Sequence, residues 1–212
     1  MKKLLSAITL ATLLLSSAGA NENDIYLGEP GYGGSGCPAG TAMATLSPDK
    51  KALSIIFDEY FVEAGAVNRK RLARKNCSIA IPVHVPQGFS VSIIDVDYRG
   101  YVSLPRRAQA RFSAEYFFAG IRGPRYTKTF RGQTDKDYVL RNQLGLQATV
   151  WSKCGADVNL RVNSSMMVRV ASTRDDALAT VDSADFRSGI KYKLQWKRCN
   201  GQAPADSFGH WN

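Results

Sequence analysis

The chain is poor in the residues and segments that most catalytic and metal sites need. Two of its 212 residues are histidine and four are cysteine, and the absence of a C-x-x-C pair disfavours a zinc site. No G-x-S-x-G motif occurs, so neither His84 nor His210 has the sequence context of a serine hydrolase. After the N-terminal leader no run approaches about 18 apolar residues, which predicts no transmembrane segment. These absences leave no catalytic residue, metal or cofactor predicted.

The first 20 residues have the pattern of a signal peptide. Lys2 and Lys3 precede a mainly apolar stretch over residues 4–15, and residues 16–20 end in Ala18-Gly19-Ala20. This A-x-A-type ending predicts cleavage near Ala20, before Asn21. We therefore expect a secreted or periplasmic protein, which removes cytosolic functions from consideration.

The four cysteines predict disulfides, because an even number of cysteines in an exported chain is typical of a disulfide framework. Three pairings are possible. We favour the two that join neighbouring cysteines, Cys37–Cys77 and Cys154–Cys199, and each would close a loop of about 40 residues.

Short alternating segments predict an all-β fold, an antiparallel β-sandwich or jelly-roll-like single domain with two disulfides. Alternation is visible around residues 53–57, 79–85, 112–118, 146–150, 158–162 and 190–196. Pro82 predicts that its strand lies at an edge or carries a bulge. One helix is expected at about 58–74. The expected organisation is a signal peptide at 1–20, a Gly-rich lead-in at 21–40, the β-domain at 41–199 and a flexible tail at 200–212.

Several ordered motifs resemble a family of secreted proteins called domain of unknown function 4360. They span about residues 27–199 and include Gly31-Tyr32-Gly33-Gly34-Ser35-Gly36-Cys37-Pro38, Phe57-Asp58-Glu59-Tyr60, Arg74-Lys75-Asn76-Cys77, Asp95-Val96-Asp97-Tyr98-Arg99-Gly100-Tyr101, Trp151-Ser152-Lys153-Cys154-Gly155 and Leu194-Gln195-Trp196-Lys197-Arg198-Cys199. The resemblance implies a secreted, mostly β domain with disulfides. It carries over no catalytic residue.

One candidate binding site lies on a predicted strand. Asp95 and Asp97 are two residues apart, so their carboxylates should share a face. Such a pair could bind a cation or act as acid and base. Tyr98 and Tyr101 could stack on a sugar ring, and Arg99 could donate hydrogen bonds to it. The alternative is a solvated strand face without a ligand.

A second candidate is a basic segment that includes Arg69, Lys70, Arg71, Arg74 and Lys75. The formal net charge is +10, and basic stretches bind anionic polymers through many weak contacts. The alternative is an exposed loop. The segment lacks interleaved aromatic residues, so no specific nucleic-acid motif is indicated. Two N-x-Ser sequons, at Asn76 and Asn163, are a further candidate for modification.

Three functions are compatible with these features. The first is a non-catalytic secreted domain that binds an anionic polysaccharide or cell-envelope surface. The second is a polysaccharide hydrolase that uses Asp95 or Asp97 with a partner such as Glu115. The third is a secreted effector or inhibitor that binds another protein.

Overall fold

A computed structural model of the chain describes residues 26–28, 30–48, 52–118, 121–143, 151–181 and 190–199. The predicted signal peptide, the predicted C-terminal tail and the predicted strand around residues 146–150 lie outside these residues. Every regular element within the described ranges is a β-strand. This part of the chain therefore contains no helix that could span a membrane.

Thirteen strands within the described ranges form two antiparallel sheets, which confirms the predicted all-β class. In chain order they are β1 (Tyr26–Leu27), β2 (Gly31–Gly33), β3 (Ala42–Leu46), β4 (Ala52–Phe57), β5 (Phe61–Ala64), β6 (Leu72–His84), β7 (Phe89–Leu104), β8 (Gln109–Phe118), β9 (Ile121–Arg131), β10 (Thr134–Gln143), β11 (Val158–Arg169), β12 (Ala177–Thr180) and β13 (Ile190–Arg198).

The strand order of each sheet differs from the chain order. The first sheet runs β1-β6-β11-β8-β9, with β2 also paired to β6. The second sheet runs β3-β4-β13-β7-β12-β5, and β10 pairs with the other side of β7. Strands distant in sequence, such as β6 and β11, thus become neighbours in space.

The two sheets enclose one hydrophobic core because their strands alternate between apolar and polar residues. In β8 the buried residues are Ala110, Phe112, Ala114, Tyr116 and Phe118. The Tyr98 ring of β7 lies 4.5 Å from the Phe112 ring, centroid to centroid, and so joins the second sheet to the first. The core fixes which residues of each strand face outward.

Both favoured disulfides are confirmed. Cys37 bonds to Cys77 and Cys154 bonds to Cys199, with Cα–Cα distances of 5.4 and 5.9 Å. The first bond ties the Gly-rich lead-in to β6. That segment is not loop throughout, because β1 and β2 both pair with β6.

The helix expected at 58–74 is wrong. The segment contains β5, a connecting loop and the start of β6. Val62 and Ala64 are buried while Phe61 is exposed, which is the two-residue period of a strand. Gly65 then adopts φ +129°, where a Cβ would lie 2.0 Å from the main-chain oxygen of Asp175, so the chain turns there and does not form a helix.

The expectation that Pro82 marks an edge is wrong, because β6 has β11 on one side and β1 and β2 on the other. An irregularity does lie opposite Pro82, since the register shifts by one residue between Leu27↔Val83 and Gly31↔Ala80. The main-chain oxygen of Pro82 accepts a hydrogen bond from Gly28 N at 2.8 Å, in the gap between the pairings of β1 and β2. The missing N–H therefore falls on the side of the short strands, where little pairing is lost.

Candidate functional site

The outer surface of the first sheet is the most strongly charged strand surface that the structure describes. Cross-strand partners share a face, so the registers of β6, β11, β8 and β9 place their outward residues in rows. We call the outward side chains of these four strands the arginine face. It carries six exposed arginines: Arg74, Arg111, Arg125, Arg131, Arg161 and Arg169.

The arginine face is poorly neutralised. Among its described side chains the single carboxylate is Glu115, whose Oε2 atom lies 3.1 Å from the Arg125 guanidinium. The Arg125 side chain remains 67% exposed, so this ion pair is open to solvent and salt. A net positive potential therefore remains over the face.

A row of hydroxyl and amide side chains crosses the middle of the arginine face. The aligned residues, in strand order, are Asn76, Ser165, Ser113 and Thr127. Part of this row lies in an open depression of about 490 Å³, which is lined by Arg74, Asn76, Ser78, Ser113, Ala114, Glu115, Arg125, Asn163, Ser164 and Ser165. The depression is therefore predominantly polar and has an arginine from each of two strands at its border.

Hydrogen bonds hold the polar side chains of the depression in place. Arg74 Nη2 donates to Ser165 Oγ at 3.0 Å, and Ser165 Oγ lies 2.9 Å from Ser113 Oγ. Ser35 Oγ donates to Asn76 Oδ1 at 3.1 Å from the Gly-rich segment. These contacts pre-organise donors and acceptors along the floor and rim of the depression.

A buried tyrosine supports the floor of the depression from within. The Tyr60 hydroxyl crosses the core to within 3.1 Å of Ser164 Oγ on β11. Burial raises the pKa of Tyr60 far above its ordinary value. The phenol is therefore neutral and structural, not a base at the surface.

The structure separates the predicted site residues around Asp97. Asp97 is partly exposed between Val96 and Tyr98, which are both fully buried. Its Cα partners are Arg141 on β10 and Lys191 on β13, and those of Asp95 are Gln143 and Lys193. The side chain of Asp95 lies outside the described set. Asp97 therefore has basic residues opposite it in the sheet, as a solvated strand face would.

Tyr98 cannot serve the role proposed for it from sequence. Its side chain is in the core, between the rings of Phe112 and Tyr126, because adjacent residues of a strand point to opposite faces. Arg99 and Tyr101 do share the outward face with Asp97. Tyr101 donates its hydroxyl hydrogen to Asp135 Oδ1 at 2.6 Å, and this bond raises the Tyr101 pKa.

The basic segment from Arg69 to Lys75 is divided between three settings. Arg69, Lys70 and Arg71 are exposed in the loop before β6. Arg74 lies in β6 and belongs to the arginine face. Lys75 points to the other side of β6, where its Nζ atom donates to Glu59 O at 3.0 Å and lies 4.2 Å from the Phe61 ring centroid. The five residues therefore do not form one basic loop.

The described residues do not assemble the proposed hydrolase site. Asp97 faces outward from the second sheet, and Glu115 faces outward from the first, so the core lies between them. His84 Nδ1 lies 2.7 Å from Asp157 Oδ1 at the surface. Within the described ranges no group of three or more His, Cys, Asp or Glu residues could hold a metal ion.

Sequence reasoning missed most of the arginine face. Its arginines occupy the polar positions of strands that the alternation had partly identified, such as Arg111 in β8 and Arg161 in β11. Listing the polar phase of each predicted strand would have shown this excess of arginine. The alignment of the rows depends on register, which the sequence did not give.

This chain is similar to a protein family and to an individual protein. The family model described as "Domain of unknown function (DUF4360)" matches residues 23–199. An "Uncharacterized secreted protein" of Arthroderma benhamiae is 34% identical over 169 residues, which are 79% of this chain and 69% of that protein.

Proposed function

This chain belongs to the family described as Domain of unknown function (DUF4360), and from that membership and the arginine face we propose that it is a secreted, non-catalytic domain that binds an anionic polymer. The polymer would be part of a cell surface or an extracellular matrix. Two disulfides and a relative named as a secreted protein support an extracellular location.

The observation that carries the proposal is the charge of the arginine face. Six exposed arginines stand on four adjacent strands, and one carboxylate, Glu115, accompanies them among the described side chains. An anionic polymer can contact several of these guanidinium groups at once and release its bound counterions. A formal net charge of +10 agrees with attraction to such a partner.

The competing hydrolase function receives no comparable support. Of the proposed carboxylates, Asp97 and Glu115 lie on opposite sides of the core, and the side chain of Asp95 lies outside the described set. A glycosidase needs two carboxyl groups within about 5–9.5 Å across a cleft. A binding surface requires no such convergence.

The test is an affinity measurement with a charge-neutralised face. We expect the triple variant Arg111→Gln, Arg161→Gln and Arg169→Gln to bind polygalacturonate or heparin more weakly than the parent protein. The slope of log Kd against log salt should also become shallower, by about one unit for each arginine that contacts the polymer.

A matched control comes from the loop before β6. The variant Arg69→Gln, Lys70→Gln and Arg71→Gln removes the same number of charges from exposed positions off the arginine face. It should retain most of the affinity. Equal losses in the two triple variants would show that net charge alone governs retention, and the proposed binding face would then be wrong.

A further inference from the structure

We propose that the anionic polymer is an acidic polysaccharide, a chain of sugars that carries carboxylate or sulfate groups, and that it lies across the hydroxyl row between the arginines. This inference rests on the proposed function and specifies its ligand. The observation behind it is that guanidinium groups and hydroxyl groups stand together in the aligned rows of the arginine face. We call these aligned rows the grid.

The arginines of the grid stand on both sides of the hydroxyl row. Arg74 and Arg111 lie in the row before it, and Arg125 and Arg161 lie in the two rows after it. Outward residues on one strand repeat every two positions, so Arg74 and Arg111 lie about 14 Å along the strands from the row of Arg125 and about 20 Å from the row of Arg161. A ligand that touches both sides must also cross the hydroxyl row.

The basic residues of the grid are of one kind. No lysine faces outward from β6, β8, β9 or β11 among the side chains that the structure describes. A guanidinium presents parallel N–H donors that match the two oxygens of a carboxylate, or two oxygens of a sulfate or phosphate. A surface that needed positive charge alone could use lysine equally well.

The hydroxyl row distinguishes a sugar from the other anionic polymers. Ser113 and Thr127 of this row, and Ser78 in the next row beside it, can each donate and accept a hydrogen bond, as can the sugar hydroxyls they would meet. Polyphosphate offers acceptors without donors. The depression of about 490 Å³ is also in the size range of sites that hold small ligands.

Among its described side chains, the same face lacks the features that favour nucleic acid or lipid. Single-stranded nucleic acids stack on aromatic side chains, and the aromatic residue here is Phe117, which is partly buried at one end of the grid. Membrane surfaces are bound through apolar side chains that insert beside basic ones. The exposed Leu72 stands at the opposite end of the grid, away from the hydroxyl row.

The experiment compares anionic ligands of different chemistry on the full secreted chain. The protein is made in a host that forms disulfides without N-glycosylation, since Asn76 and Asn163 are sequon asparagines on the same face. The probes are polygalacturonate, heparin, polyphosphate, duplex DNA and phosphatidylserine vesicles, all at one ionic strength. We expect both polysaccharides to bind most tightly, and their ratio shows whether carboxylate or sulfate is preferred.

Three variants assign the contacts. Ser78→Ala, Ser113→Ala and Thr127→Val together remove the hydroxyls but no charge, and should weaken polysaccharide binding by about tenfold or more while polyphosphate binding changes less than about twofold. The matched control is Thr45→Val, Ser54→Ala and Thr173→Val, off the face, which should change neither. Replacing Arg111, Arg161 and Arg169 by lysine should weaken polysaccharide binding although charge is kept.

The outcomes separate the two levels of the proposal. If the arginine-to-glutamine triple variant loses affinity for all polymers alike, and the hydroxyl variant loses none, the arginine face remains the binding site for anionic polymers and the polysaccharide assignment is wrong. Tightest binding to DNA, polyphosphate or vesicles would also overturn the assignment. If no anionic probe responds to the loss of these arginines, the proposed function itself fails.

Discussion

The hydroxyl of Tyr60 provides a quantitative test of how the two sheets are joined. Tyr60 is 2% exposed, and its hydroxyl lies 3.1 Å from Ser164 Oγ beneath the depression. Either hydroxyl can donate in this bond, and Ser164 Oγ can also donate to Cys77 O at 3.3 Å. Tyr60→Phe removes that bond and leaves Ser164 its own partner. We expect a loss of about 1 kcal/mol in the free energy of unfolding.

Tyr98 is the matched control for this substitution. It is also fully buried, but its hydroxyl has no hydrogen-bond partner within the described ranges. Tyr98→Phe removes a desolvated polar group and should be neutral or stabilising by up to about 1 kcal/mol. Urea unfolding of the two variants beside the parent measures the difference. The reasoning is refuted if Tyr98→Phe costs more than Tyr60→Phe.

The same substitution has a signature at alkaline pH. Burial raises the Tyr60 pKa, so the unfolded chain releases this proton at a lower pH than the folded chain does. The contribution of Tyr60 to the free energy of unfolding is fully present below its pKa in the unfolded chain, about 10. This contribution is lost as the pH rises from there towards the pKa of the folded state. The parent should therefore lose stability above pH 10 more steeply than Tyr60→Phe. Burial also raises the Tyr126 pKa, so some slope remains in the variant.

Two further substitutions test the strand assignments. Because Asp97 is partly exposed on an outward face, Asp95→Asn with Asp97→Asn should change stability by less than about 1 kcal/mol, and a larger loss in urea unfolding would indicate a structural role. Gly65→Ala should destabilise by more than about 2 kcal/mol, since its φ is +129° and the new Cβ would meet Asp175 O. Gly33→Ala is the control, because no atom lies within 4 Å of the added Cβ, and its change in the free energy of unfolding should be near zero. Equal losses of stability for the two glycine variants would contradict the turn geometry.

The positions of several strands could be predicted from the sequence, because a strand with one buried face alternates apolar and polar residues. Strands β6, β8 and β11 each show this alternation, and the structure contains all three. The segment around residue 60 was misread as a helix because its strand is four residues long, too short for a period to be clear. Its turn depends on Gly65 meeting the backbone of Asp175, a contact between segments distant in sequence.

The candidate site was less accessible because it is assembled by register. Arg74, Arg111 and Arg169 belong to strands whose spatial order, β6-β11-β8-β9, is not their chain order. Local clustering instead drew attention to residues 69–75, yet Lys75 points away from Arg74 because neighbours in a strand alternate. The same alternation buries Tyr98, although its neighbour Asp97 faces outward. Proximity in sequence is therefore a poor guide to a binding surface built from strands.

The outward face of the second sheet carries charges of both signs and therefore differs from the arginine face. Its outward residues include Asp97, Asp135 and Asp137 on β7 and β10, together with Glu63 on β5. Arg99 and Arg141 offset these acids on the same face, and Lys191 and Lys193 are the cross-strand partners of Asp97 and Asp95. In the first sheet, by contrast, Glu115 alone offsets six arginines among the described side chains. The core holds the two faces on opposite sides of the domain, so under the proposed function we expect a polyanion to approach the first sheet. The mixed-charge face would then point away from the polymer.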